Sequence, residues 1–296
     1  MSAAHTPLTI ADCVRTACML DVMAAKPGNV HRGADFEDSD LRRFPLGRAG
    51  DRTDSGACVR ATFGRDDFRL RTSNATHGRH ERQSGDYLVV EPFGRGSAQA
   101  TLARGCARRV GGFERRRWRD VYAAIVAAKP GGLGDVAEHD VRSTPPEDLL
   151  TAMRAAAERD SIALQYSNGF AEIETVVLPS LLENLASLPT LSAIVRTFLQ
   201  ALAKIPDTLI ARKCETRIAD DASEWAGEVL AAGEDSTEAY YHALADLDFW
   251  LRSDGHKRNP GTTADLLCAA IFIALSRRAT HAAVSLGVAP AIRAAF

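Results

Sequence analysis

The chain has no Cys-x-x-Cys pair, no apolar run near the length of a membrane span, and almost no strand-like alternation outside one segment. Its six cysteines, Cys13, Cys18, Cys58, Cys106, Cys214 and Cys268, are scattered, several of them in apolar helical runs where a free thiol behaves as a small hydrophobe. That usage points to a reduced, cytoplasmic setting. Nothing approaches the ~18 apolar residues of a membrane span, and no charged n-region followed by an apolar h-region opens the chain, so a membrane partner is not expected. A net charge of −2 over 296 residues likewise predicts no general electrostatic partner.

Lysine is also missing from residues 41–119, which carry 18 arginines and 8 acids, a local charge of +10 between flanks of −3 and −9. The segment has few sustained apolar faces. As it stands it reads either as a basic disordered insertion or as a nucleic-acid-binding surface.

The remainder is rich in helical signals. With 46% hydrophobic residues the chain can bury a large core. Thr9 to Asp12 forms a capping box ahead of Ile10, Cys13, Val14, Ala17, Leu20 and Ala24 at helical spacing, and Pro27 stops the run. Asp21 lies on that helix, aimed near Lys26. A second helix is predicted from about Arg119 to Pro130. Thr144 and Pro145 start a long one persisting to about Ser167, and amphipathic runs fill 172–186, 190–204, 207–213, 217–232 and 236–252, with a last helix from Pro260 to about Arg278. The expected class is mainly α, one multi-helix globular domain over 1–296 with an irregular segment near 39–118.

Three Pro-Gly elements interrupt these helices: Lys26-Pro27-Gly28-Asn29, Lys129-Pro130-Gly131-Gly132-Leu133-Gly134 and Asn259-Pro260-Gly261-Thr262-Thr263-Ala264-Asp265. Proline fixes φ and removes a donor while glycine lets backbone approach a ligand, so these loops are where chemistry is sought, as one composite site.

Taken together with Val30-His31 and Asp35-Phe36, with Arg159-Asp160-x-Ile162-Ala163-x-Gln165-Tyr166 and with Asp207 to Lys213, these elements resemble, in order and spacing, the triphosphoribosyl-dephospho-CoA synthase family. The resemblance covers 8–38 and about 120–280. Between Asp35 and Pro130 the family pattern would hold an Asp-Phe-Leu-x-Ser-Ala-like helix and an Asn-x-Asn-Leu-Gly element opening a Leu-rich helix, and neither is present in this reading frame. Both return on reverse translation. Arg43 to Asp54, written with permitted codons and read one nucleotide later, gives Asp-Phe-Leu-Ser-Ala-Ala-Gln-Ala-Ile-Gly-Pro. The same slip turns His80 to Gly94 into Thr-Asn-x-Asn-Leu-Gly-Ile-Ile-Leu-Leu-Leu-Ser-Pro-Leu. We therefore expect 39–118 to be a frameshifted stretch, entered after Asp38 and left before Asp120.

The resemblance implies transfer of the 5-triphosphoribosyl group of ATP to the ribose 2′-hydroxyl of 3′-dephospho-CoA with release of adenine, making the precursor of an acyl-carrier prosthetic group. Breaking that N-glycosidic bond needs stabilisation of an oxocarbenium-like ribose, activation of the attacking hydroxyl and a donor for adenine, and the triphosphate implies cations and Mg²⁺. ATP and 3′-dephospho-CoA are then the partners, and no nucleic acid. The alternatives are N-glycoside hydrolysis or another ribosyl transfer on the same fold, and nucleic-acid binding through the arginine-rich segment.

Residue by residue, each reading has a plainer one beside it. Asn259, Thr262 and Thr263 open a helix suited to an anion, and Asp265 in its first turn suits Mg²⁺ or proton transfer; a simple capping box from Thr262 to Asp265 is the alternative. Lys26 and Asn29 offer a cation and an amide, and Asp35 a base or metal ligand, or all three belong to a solvated turn. Arg159 contacts phosphate while Gln165 or Tyr166 orients base or ribose, or Arg159 pairs with a carboxylate. Asp207, Arg212 and Lys213 hold the phosphates of one substrate, or match a helix dipole. His139 and His256 are candidate proton donors in polar loops. His77 and His80 lie in the suspect segment without further ligands and are discounted.

Overall fold

The computed structural model describes residues 10–31, 60–63, 68–71, 149–255 and 257–282. Among them the α-helices are α1 (Ile10–Met23), α2 (Leu149–Ala156), α3 (Ser161–Asn168), α4 (Leu178–Ser187), α5 (Thr190–Lys204), α6 (Thr208–Lys213), α7 (Thr216–Ala231), α8 (Glu238–Arg252) and α9 (Gly261–Ala282). A short antiparallel ribbon, β1 (Arg60–Phe63) with β2 (Phe68–Arg71), pairs Arg60 with Arg71 and Phe63 with Phe68. It lies inside the arginine-rich segment, whose other residues are outside the described set. The mainly α class is thus what the fold shows.

Two helices explain the core. From Leu266 to Leu275 every residue of α9 is buried, the pattern of a helix apolar all round and enclosed by its neighbours. α5 buries a broad face, Ala193, Ile194, Val195, Thr197, Phe198, Leu199, Ala201 and Leu202, which covers more than half of the helix. α9 packs against α1, α4, α5 and the turn before α4, while α5 also takes α4 on one flank and α7 on another. A polar pairing inside this core joins α4 to α5: Asn184 donates to Thr197 Oγ1 at 2.9 Å and to Gln200 Oε1 at 2.8 Å. No described helix is long and apolar enough to cross a membrane.

Two predicted boundaries change. The helix expected from 144 to 167 is broken at 157–160, because Asp160 in extended conformation turns its carboxylate onto the amides of Ile162 and Ala163, at 2.8 and 3.4 Å, and starts α3 afresh. The run 172–186 opens with a π-helical turn, Ile173–Val177, in which the Leu178 amide donates to the Ile173 carbonyl. Pro179 supplies the reason: with no N–H it cannot continue the α ladder, and the wider turn absorbs the gap. Just before this turn Phe170 sits buried at φ 68, a left-handed conformation that a bulky side chain rarely takes, with its ring against Tyr166 at 5.3 Å.

Tyr240, near the start of α8, gives a pH signature of this packing. Burial, then the Asp235 carboxylate, push its phenol up to about 12 from 10.0, against the pull of Arg196. A raised acid pKa means folding favours the protonated form, so Tyr240's contribution to stability is intact below pH 10.0 and is lost as pH rises to about 12. The loss amounts to about 3 kcal/mol. In an ultraviolet titration Tyr240 should ionise late, and Tyr240→Phe should remove its contribution to the late step.

Candidate functional site

Three helix N-termini meet at one place. Thr208 at the start of α6 accepts the Ser161 amide of α3 on its Oγ1 at 3.0 Å and donates that hydroxyl to Thr262 Oγ1 of α9 at 3.4 Å. Asp207 ties the second and third more firmly. Its Oδ1 takes the amides of Leu209 and Ile210 at 2.9 and 3.1 Å, capping α6, and its Oδ2 takes the Thr263 amide at 2.8 Å and the Thr263 hydroxyl at 2.9 Å, fixing the first turn of α9. Burial raises the pKa of this carboxyl, while the donors from Thr263, Ile210 and Leu209 pull it down. Sequence spacing suggests the cap on α6; nothing in it links Asp207 to a residue 56 positions away.

Arg212 closes the same junction from the end of α6. Its Nη1 lies 3.0 Å from Asp160 Oδ2 and donates to the Arg159 carbonyl at 3.1 Å, so it holds the turn that precedes α3. Arg159 itself is exposed, and its guanidinium has no partner among the described residues. Lys213 follows at the C-terminal turn of α6, half-buried. Thr262 and Thr263 are buried at the junction, Asn259 is buried just ahead of it, and Asp265 is partly exposed one turn along α9.

Gln165 and Tyr166 point inward instead. Gln165 is fully buried, donating to the Ser161 carbonyl at 3.3 Å and to Glu172 Oε2 at 2.6 Å while accepting the Ile173 amide at 3.3 Å. Gln165 thus ties α3 to the π-helical turn, and the buried Tyr166 packs its ring against Phe170.

The first Pro-Gly loop is brought to the third. An alanine Cβ at Gly28 would fall 2.8 Å from Leu251 Cβ and 2.9 Å from Pro260 Cδ, and Gly28 has φ +70, so the two loops touch through a position that only glycine fills without strain. Asp21 lies near the Lys26 loop as expected, but Lys26 is not solvated: both residues are buried and joined as an ion pair. Asn29 is buried, its Nδ2 donating to the Pro27 carbonyl at 3.3 Å.

Two residues of α8 that the sequence reading missed hold this loop. Asp248 Oδ1 accepts the Gly28 amide at 2.7 Å and the Arg252 Nε at 2.8 Å, and Arg252 Nη2 donates to the Asn29 carbonyl. The clamp grips backbone on both sides of the loop. Its only sequence signal is an i, i+4 acid and base, the pattern of countless solvated helix pairs. The third loop is pinned to the same helix by Arg258, whose Nη1 donates to the Trp250 carbonyl at 3.2 Å and whose guanidinium lies 4.6 Å from the Trp250 ring centre. Asp35, the Pro130 loop, His77, His80, His139 and His256 lie outside the described residues.

Two substitutions test this geometry. Asp207→Ala uncaps α6 and leaves the buried Thr263 donors unpaired, for an expected loss of about 3 kcal/mol in chemical denaturation. Gly28→Ala combines a left-handed φ with a clash and should cost about 3 kcal/mol, whereas Gly255→Ala, at φ +60 with nothing within 4 Å, should cost only about 1 kcal/mol.

Comparison with known proteins bears on this arrangement. The family model for CitG, ATP:dephospho-CoA triphosphoribosyl transferase, matches residues 7–283. No curated protein matches the sequence. Among solved structures, one from Archaeoglobus fulgidus described as a triphosphoribosyl-dephospho-CoA synthase is 25% identical, with a TM-score of 0.50 over 65% of this chain and 82% of that one. The chain belongs to the ATP:dephospho-CoA triphosphoribosyl transferase family, and the first loop, the α3 start, the Asp207 segment and the third loop all fall within the matched span.

Proposed function

We propose that this protein moves the 5-triphosphoribosyl group of ATP to the 2′-hydroxyl of 3′-dephospho-CoA, releasing adenine. The observation that carries the proposal is the junction of α3, α6 and α9 beside the first Pro-Gly loop: the three helix starts meet through named hydrogen bonds and the first loop packs on the third at Gly28 and Pro260, all within the span of the family model.

In this reaction the bond from the ribose C1′ to the adenine nitrogen breaks with its electron pair leaving on adenine, a C1′–O bond forms to the acceptor hydroxyl, and that hydroxyl's proton ends on the leaving base. Arg159 is the described cation best placed for the triphosphate, since its guanidinium is exposed beside the α3 start. Lys213 is a second cation nearby. Arg212 acts by holding the Arg159 turn. Asp35 and Asp265 are the carboxylates assigned to taking the hydroxyl proton and to holding Mg²⁺. Among the described residues no three His, Cys, Asp or Glu side chains are grouped to hold a metal. A site resting on Asp265 fits the way Mg²⁺ commonly binds, through one or two carboxylates with phosphate and water completing the shell. When bound, the ion would neutralise triphosphate charge.

The frame of residues 39–118 belongs to the same proposal. The chain as written should show little or no turnover, and restoring the one-nucleotide shift should give adenine and a triphosphoribosylated dephospho-CoA in equal amounts, read by chromatography and mass spectrometry. Robust turnover by the chain as written would overturn the frameshift. Adenine without the coupled product from the restored chain indicates N-glycoside hydrolysis, and neither product sinks the transferase reading.

A further inference from the structure

The first loop is built as a neutral reader of a hydrogen-bond donor. Lys26 is fully buried and its ammonium is engaged by Asp21, so the loop's one cation is already matched by a carboxylate. Asn29 beside it is also fully buried, and its Oδ1 has no donor among the described residues. The orientation of that amide is set by its other end: Nδ2 donates to the Pro27 carbonyl, and a flipped amide would put two acceptors face to face. Both backbone flanks are fixed by α8, through Gly28 to Asp248 and the Asn29 carbonyl to Arg252. An acceptor left unpaired in the interior keeps its desolvation cost uncompensated, so a rigidly held one calls for a partner that arrives from outside.

On the reading proposed above, we infer that Asn29 Oδ1 is a specificity-determining acceptor that takes an O–H or N–H donor of a bound nucleotide, a ribose hydroxyl or the adenine amine. It is not a phosphate contact, because phosphate oxygens are acceptors and carry negative charge. Recognition is therefore divided: the first loop reads sugar or base, and the triphosphate lies toward Arg159.

The test is equilibrium binding by calorimetry to the full chain and to its frame-restored counterpart. ATP is compared with 2′-deoxy-ATP, 3′-deoxy-ATP and purine riboside triphosphate, and dephospho-CoA with its 2′-deoxy analogue. One of these deletions should weaken binding by about tenfold, and which one does identifies the donor. Asn29→Ala should bind the intact nucleotide about tenfold more weakly and no longer distinguish it from that analogue. Asn29→Asp, which keeps an oxygen acceptor, should still discriminate. Full discrimination by Asn29→Ala, or equal binding of all analogues to the unsubstituted protein, overturns the assignment. If neither protein binds ATP or dephospho-CoA at all, the proposed function fails, a result separate from the other two.

Discussion

The Asp207 carboxylate is the constraint on which the junction depends. Three helices begin at one place, and their aligned peptide dipoles turn partial positive charge and unpaired amides toward each other. Such an arrangement repels itself unless acceptors are placed inside it. Asp207 serves two of the helices at once, one oxygen to α6 and the other to α9, and Asp160 serves α3. The hydroxyls of Thr208 and Thr262 join what remains. Since the desolvation that raises the Asp207 pKa is opposed by donors on both oxygens, the carboxyl is held in place by the very groups that it satisfies.

This has a consequence for how an anion can be met here. The first amides of α6 and the Thr263 amide of α9 already donate to Asp207, so they are not available as a bare phosphate cradle of the kind found at isolated helix starts. Charge for a triphosphate must come from side chains at the edge, and Arg159 is the one whose turn is braced by another arginine. Arg212 and Arg159 therefore divide their work despite being the same residue type. One is engaged by the carboxylate of Asp160 and the Arg159 carbonyl; the other faces solvent.

Much of the fold was legible because it follows from local chemistry. Periodicity gave α5, α7 and α8 nearly to the residue and the start of α9, which runs to Ala282, beyond the expected end near Arg278, and the caps at Asp160 and Asp207 use the residue types that favour helix starts. The break before α3 escaped because Ile162 and Met153 keep helical spacing across it, and periodicity alone does not register a capping carboxylate that restarts the ladder. The site was half legible: motif residues were found, but their partners were not. Asp207 to Thr263 and Gly28 to Asp248 span large sequence separations, and such pairings depend on how the helices stack, which no window of sequence contains. Gln165 shows the converse. It shares a motif with Arg159, yet its amide is taken up by Ser161, Glu172 and Ile173 in bracing the π-helical turn.

The clamp on the first loop separates the positioning of its backbone from the role of its side chains. Asp248 and Arg252 hold Gly28 and Asn29 only by main-chain groups, so the contact asks nothing of the side chain at position 29. Glycine is needed at 28 because Leu251 and Pro260 press on it, and backbone hydrogen bonds fix the rest. A loop secured in this way leaves its one neutral polar side chain free of a structural duty beyond the bond to Pro27. That separation, backbone for position and side chain for recognition, accounts for a fully buried asparagine whose side-chain oxygen is left unpaired, where the buried Asn184 has its amide nitrogen paired across α4 and α5.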